Sequence, residues 1–347
     1  MVFTKSCTAS RYLNKTSTDR IINHQTKRQN DTMKISGFSM VKNADKLYYP
    51  VKEAILSVLP IVDEFVIAIG DCDPGDHTRA LVENIGSEKI KIIDTVWDIA
   101  RYPRGMENAH QTDIAKSHCT GDWLFYLQAD EVIHEKYLPE IRNKCEKYLD
   151  DSCVEGLLFK YLHFWGDYQH YHKAHGWYPR EIRIIRNLPE IHSFESAQSF
   201  RRIPDFDGLN YRRQENTFKL KVAEIDAYVY HYGWVRPPSL MKSKTKALAT
   251  IHKGREEVER MDKEGKFDFD YGPLNYLAEF NDSHPAVMKE WISRFNWKEQ
   301  LQYGGKPNPE RPRHKHEKCK YRIFGWLKQQ LPFLKEWGTF KNYIRAK

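Results

Sequence analysis

At 347 residues, with 40% apolar and 13% aromatic content, the chain has ample length for a sizeable core and too much apolar character for a disordered segment. No apolar run reaches the roughly 18 residues that a membrane-spanning helix needs, because the best one, residues 54–70, is broken by Pro60, Asp63 and Glu64. The net charge of +8 belongs to the ends: residues 1–32 carry +4 and residues 306–347 carry +9, which leaves −5 for the body and argues against a nucleic-acid-binding core.

Six cysteines are scattered without C-x-x-C spacing, a pattern that fits free thiols in a reducing compartment, so a cytoplasmic location is expected. Residues 1–32, rich in Ser, Thr, Asn and basic side chains, read as a disordered extension. From residue 34 to 131 short apolar runs alternate with amphipathic stretches, the pattern of successive βαβ units. Strands are expected at 35–41, 64–70, 90–94 and 123–127, with helices at 48–59, 78–86 and 108–118 between them. After a helix at 135–149 the pattern changes to strands at 156–161, 182–185, 191–200 and 227–230, around an aromatic and histidine-rich segment from His163 to Trp177. A charged helix at 239–260, one or two helices in 272–300 and a basic tail from 305 follow. In that tail Trp326, Leu327, Leu331, Leu334 and Trp337 make an amphipathic surface helix interrupted by Pro332. The expected class is α/β: a mostly parallel central sheet flanked by helices, a smaller mixed sheet added to it, and a helical C-terminal extension.

The run Gly121-Asp122-Trp123-Leu124-Phe125-Tyr126-Leu127-Gln128-Ala129-Asp130-Glu131 carries the chemistry. Five apolar residues suit a strand buried on both faces, and such sheets bind ligands at the carboxyl ends of their strands, where Gln128, Asp130 and Glu131 stand. A second polar cluster, Asp71-Cys72-Asp73-Pro74-Gly75-Asp76-His77-Thr78, follows the second strand, and Val41-Lys42-Asn43 ends the first. In order and spacing these three places resemble the family 2 glycosyltransferases of the GT-A fold, over residues 34–235. The resemblance divides residues 33–235 into a nucleotide half (33–131) and an acceptor half (132–235); the sequence pattern adds a helical extension (236–304) and the tail (305–347).

That family moves a sugar from a nucleotide-sugar donor to an acceptor hydroxyl. The resemblance therefore implies a UDP-sugar or similar donor, a divalent Mg²⁺ or Mn²⁺ on the diphosphate, and a glycan, lipid-linked or other hydroxyl acceptor. It places Asp130 on the metal, Gln128 where the family's Asp-x-Asp motif has its first acid, near the ribose, and Asp71 and Asp73 near the nucleotide. A bound cation suits carboxylate oxygen and offsets charge on a leaving diphosphate. His231, in Tyr230-His231-Tyr232-Gly233-Trp234, is a late histidine that could return to the metal. An inverting transfer also needs a general base. The segment Arg186 to Glu195 resembles the family's Arg…His-Glu element, which makes Glu195 the expected base, with His192 and then Asp167 behind it.

Each residue also has a plainer role open to it: Asp130 as a helix cap, Asp76 as the cap before Thr78, Glu131 as a first-turn helix residue or a partner behind the metal ligand, Arg101 and Arg104 as surface charge, His231 as a hydrogen-bonded core residue. The aromatic cluster from His163 to Tyr178 suits either sugar stacking or a core. A nucleotidyltransferase, or a catalytically inert nucleotide-binding module whose tail meets membrane or nucleic acid, stays open beside the transferase. Peripheral contact with the inner membrane face through the tail is expected; nucleic acid is not.

Overall fold

A computed structural model describes residues 32–173, 176–331, 338 and 341–346. The expected disorder of residues 1–31 and the tail positions Leu334 and Trp337 lie outside the described residues.

In chain order the elements are β1 (Ile35–Val41), α1 (Val51–Val58), β2 (Glu64–Ile69), α2 (Thr78–Glu83), β3 (Ile90–Asp94), α3 (Met106–Ser117), β4 (Trp123–Tyr126), β5 (Glu131–Ile133), α4 (Leu138–Lys147), β6 (Gly156–Trp165), β7 (His170–Tyr171), β8 (Arg180–Arg186), β9 (Ile191–Phe194), β10 (Ser199–Arg202) and β11 (Phe218–Trp234). Beyond them lie α5 (Pro238–Lys253), α6 (Arg255–Lys263), β12 (Ala278–Glu279), α7 (Lys289–Ser293), α8 (Cys319–Gln330) and β13 (Tyr343–Arg345).

The α/β class expected from the sequence holds, and the sheet is mixed. Its strands run β3-β2-β1-β4-β8-β6-β11-β10-β9. The first four are parallel, and β8 then enters antiparallel to both β4 and β6. The parallel half obeys the continuous-apolar rule: every residue of β2 and β4 is buried, because helices cover both faces. Residues 132–235, expected to form a smaller sheet of their own, continue this same sheet.

Four local departures from the expected elements stand out. Glu131 opens a short strand, β5, antiparallel to β11, where a helix start was an option. The strand expected at 227–230 is 17 residues long, its outer part alternating exposed and buried side chains. The charged stretch 239–260 is two helices, parted at Gly254, whose φ of 87° suits glycine. Residues 343–345, expected in the tail, pair in parallel with β11. Among the described residues no helix is long and apolar enough to cross a membrane, and Cys72, Cys119, Cys145, Cys153 and Cys319 are free thiols.

Candidate active site

β1, β2 and β4 are parallel neighbours, so Asn43, Asp71 and Gln128–Asp130, which follow them, emerge at one edge of the sheet. Leu127, fully buried, still belongs to the ladder: its N–H donates to Phe38 O at 3.1 Å and its carbonyl accepts from Ser39 Oγ at 2.6 Å. Beyond it the chain turns, and Glu131 fastens the turn from inside. Its carboxylate accepts both Nε and Nη2 of Arg183 at 2.7 Å, Tyr161 OH at 2.7 Å and the Gln128 N–H at 3.1 Å. Both charges are fully buried, and a bidentate pair with further donors is what such burial requires. Glu131 is thus a scaffold residue with no free oxygen to offer a ligand.

With Glu131 turned inward, Asp130 faces β11. The Tyr232 N–H donates to Asp130 O at 2.8 Å, and the register of β5 on β11 sets Glu131 opposite His231. Gly233 is required by this approach: a Cβ there would collide with Asp130 Oδ2 and crowd His231 Nε2. Asp130 Oδ2 lies 3.7 Å from His231 Nε2 and 3.5 Å from Lys244 Nζ, which also donates to Gly233 O. Behind them the buried Arg236 donates to Gly233 O at 3.0 Å and to Leu47 O, with its guanidinium over Tyr49.

Burial would raise the Asp130 carboxyl, but the charges of His231, Lys244 and Arg236 outweigh it and hold the group below the ordinary carboxylate range. Burial pushes His231 down to about 4 against the pull of Asp130. His231 is therefore neutral at pH 7, and Arg236, with Lys244 where it is protonated, carries the effect there. Burial, with Arg236 nearby, brings Lys244 down to about 7.

His163 completes the arrangement. It faces His231 across the β6–β11 register, and the two Nδ1 atoms are 3.1 Å apart, while His163 Nε2 meets Tyr178 O at 2.8 Å. A carbonyl only accepts, so His163 carries its proton on Nε2 and leaves Nδ1 bare. His231 must then donate from Nδ1, and its Nε2 presents a lone pair toward Asp130.

At the end of β2, Asp71 Oδ1 accepts from Lys42 Nζ at 2.8 Å and from the Trp97 backbone N–H at 2.9 Å. Its carboxyl lies below the usual range because these two donors outweigh its partial burial. Asp73 is exposed, and its N–H donates to Asn43 Oδ1 at 2.7 Å. Asp76 accepts from the N–H groups of Thr78 (2.9 Å) and Lys46 (3.0 Å), which gives it the turn-setting role. Arg101 and Arg104 are exposed on the loop before α3.

Gln128 donates from Nε2 to Ala197 O at 3.1 Å, and Asn108 Nδ2 reaches Ser196 Oγ at 2.9 Å, so the 195–198 turn lies beside the strand end. Glu195 and Ala197 there have φ of 60° and 57°. No hydrogen bond or ion pair among the described residues joins Glu195 to the Asp130 cluster. His192 Nδ1 lies 2.7 Å from Asp113 Oδ2, and the Ser193 N–H donates to the same carboxylate, which ties β9 to α3. Asp167, buried, caps its own turn by accepting from the N–H groups of Gln169 and His170 at 2.9 Å. The structure thus brings Asp130 and His231 together, sets Gln128 beside the Glu195 turn, and places His192 and Asp167 in local packing. Sequence reasoning missed Lys244, which looks like one solvated charge among many, and the His163 contact, which has no local signal.

No family model matches the chain. An uncharacterized glycosyltransferase of Rickettsia conorii is 31% identical over 110 residues, covering 32% of this chain and 33% of the relative. One of Rickettsia felis is 32% identical over 108 residues, covering 31% and 32%. The chain thus spans about a third of the length of the curated relatives it matches, and both are named only as glycosyltransferases. Among solved structures, Staphylococcus aureus TarS 1–349 aligns at 15% identity and a TM-score of 0.34, over 63% of this chain and 65% of that one. Glucosyl-3-phosphoglycerate synthase from Mycobacterium tuberculosis, in complex with Mg²⁺ and UDP, aligns at 15% identity and 0.26, over 37% and 43%.

Proposed function

We propose that the protein transfers a sugar from a nucleotide-sugar donor, expected to be a UDP-sugar, to an acceptor hydroxyl with inversion. The observation that carries this reading is the Asp130–His231 pair. A carboxylate oxygen and an imidazole nitrogen face each other 3.7 Å apart at the carboxyl edge of the sheet, each offering a lone pair. Two acceptors held so close want a cation between or beside them.

The donor set fits a divalent ion: oxygen from Asp130, nitrogen from neutral His231, and a histidine behind it that fixes the ring, a feature common to metal-bound imidazoles. Among the described residues no three His, Cys, Asp or Glu side chains are placed to hold one ion together, which leaves further positions to the donor's diphosphate and water. Bound there, Mg²⁺ or Mn²⁺ would neutralise charge on the departing nucleotide diphosphate.

The protein's own groups supply the rest. Asp71, Asp73 and Gln128 are assigned to hold the nucleotide; Arg236 adds fixed positive charge beside Asp130, and Lys244, brought down to about 7, adds charge that titrates near neutrality. Glu195 is the assigned base. Support comes from its turn, which abuts Gln128 and holds two non-glycine residues in the left-handed region, a strain that clusters at working sites. His192, engaged by Asp113, anchors that turn.

A cytoplasmic protein with peripheral membrane contact completes the reading: α8 leaves Ile323 and Trp326 each 59% exposed among Lys318, Lys320 and Arg322. Calorimetric titration of UDP with and without Mn²⁺, on wild type and Asp130→Ala, tests the function. Expected is Mn²⁺-enhanced binding that the variant loses; wild type that fails to bind UDP at all sinks the reading.

A further inference from the structure

The strands that carry His163 and His231 both end in tryptophan, Trp165 on β6 and Trp234 on β11, and the two indoles stack with centroids 5.0 Å apart and planes at 24°. Trp177, from the segment before β8, stands edge-on to both, at 5.9 and 5.8 Å. With Phe269, Gln198 and His316 these side chains line a cavity of about 700 Å³, within the roughly 300–1,000 Å³ of small-molecule sites. The cavity adjoins the reaction centre: Trp234 lies under Lys244 Nζ at 5.0 Å, and the Trp177 and His163 rings are 5.0 Å apart.

Most of this wall is aromatic, yet it is not a finished apolar core. Trp177 Nε1 and His316 Nε2 are shielded from solvent and have no hydrogen-bond partner among the described residues, and the whole His316 side chain is 1% exposed. Buried polar atoms are normally paired, so two orphans in one cavity mark a missing partner. An acyl or polyprenyl chain would leave both unpaired. A nucleobase belongs across the site, with Asp71, Lys42 and Trp97. An anion has little to meet, because Lys315, the cation of the lining, already donates to Gly176 O at 3.2 Å.

We infer that this cavity is the acceptor subsite and that its ligand is a neutral glycan, resting on the glycosyltransferase reading above. A pyranose matches the two demands of the wall: its C–H face covers an aromatic ring, and its rim of hydroxyls both donates and accepts. The Trp177 N–H donates to a hydroxyl oxygen, and His316 Nε2 pairs with a second hydroxyl. The acceptor hydroxyl then points toward the side where Lys244 and Asp130 stand.

The test applies the full chain to a printed array of neutral and acidic oligosaccharides, beside an array of phospholipids and polyprenyl phosphates. Wild type, Trp177→Ala, Trp177→Phe and His316→Phe are compared, with circular dichroism as the check on folding. Expected is retention on a set of neutral glycans, weakened roughly tenfold or more in Trp177→Ala and His316→Phe and less in Trp177→Phe, which keeps an aromatic face. No glycan retained, retention equal in wild type and every folded variant, or retention confined to lipids or acidic sugars overturns the inference. Titration of wild type with UDP separates the two readings. Glycan retention without UDP binding leaves the cavity a glycan site but sinks the transferase and with it the acceptor role, whereas UDP binding without glycan retention sinks the cavity assignment and leaves the transferase standing.

Discussion

His163 and His231 share one proton across a 3.1 Å contact between their Nδ1 atoms, and its position follows from a backbone carbonyl on the far side of His163. Both rings are neutral near pH 7, since burial holds His163 at about 3 and His231 at about 4. Tyr178 O therefore decides, through two imidazoles, that His231 shows Asp130 a lone pair and not an N–H.

Removing that relay should damage cation binding more than folding. In His163→Phe the His231 ring loses its acceptor, and its Nε2 is free to protonate and donate to Asp130. Mn²⁺ affinity in the presence of UDP, read by electron paramagnetic resonance, should fall by roughly 10–100-fold, the usual cost of losing a partner behind a ligand. UDP binding without metal should change far less. Mn²⁺ affinity equal to wild type would show that His163 merely packs.

The sequence exposed the parallel half of the sheet because β2 and β4 are continuous apolar runs between turn signals, a local pattern. It exposed much less of β11, whose outer part alternates Lys and Glu with buried side chains and looks solvated until its neighbours are known. The site divides in the same way. Asp130 and His231 were each legible as residue types at strand ends. Their meeting depends on the β5–β11 register, fixed by pairing across about a hundred residues of chain, and nothing near either residue announces it. Glu131 shows the limit most plainly: its neutralising partner, Arg183, lies 52 residues away on β8.

Glu181 makes a pH-dependent contribution of known sign. It is 1% exposed on β8, accepts from Gln198 Nε2 at 3.2 Å, and has its Oε2 unpartnered. Burial pushes its carboxyl up to about 7 from 4.5, and Arg183 offsets only part of the rise. A raised folded pKa means that this stability is fully present below about 4.5 and is lost as pH climbs through about 7. Glu181→Gln stays neutral, so it should unfold like wild type at pH 4.5 and be the more stable protein at pH 8, by on the order of 3 kcal/mol. Urea unfolding at both pH values reads the difference. A gap independent of pH would mean that Glu181 ionises normally.

The exposed face of α8 yields a prediction about location. Ile323 and Trp326 project among Lys318, Lys320 and Arg322, an apolar edge with a basic surround. Sedimentation with vesicles containing anionic phosphatidylserine should retain wild type and release the Ile323→Ser/Trp326→Ser double variant, while UDP binding persists in both. Equal retention of the two proteins, or retention on purely zwitterionic vesicles, would remove α8 from the membrane reading.

On the proposed reading, Lys244 should set how far the site depends on an added cation. Its ammonium lies 3.5 Å from Asp130 Oδ2, buried over the rings of Trp234 and Tyr49 at 5.0 and 5.3 Å, so it balances the carboxylate when nothing else is bound. Replacing it with methionine keeps the aliphatic stem and removes the charge, which leaves Asp130 with Arg236 as its remaining fixed cation. Breaking one side of a buried pair costs up to about 3–5 kcal/mol, of which Arg236 offsets part, so the unliganded variant should melt below wild type. A divalent ion supplies what was lost, and ligand binding stabilises a fold in proportion to the logarithm of concentration over Kd. Millimolar Mn²⁺ should therefore raise the melting temperature of Lys244→Met more than that of wild type, and Asp130→Ala/Lys244→Met should lose the response. If Mn²⁺ stabilises wild type and Lys244→Met equally, the ammonium and the metal do not meet at Asp130, and the cation must be placed elsewhere.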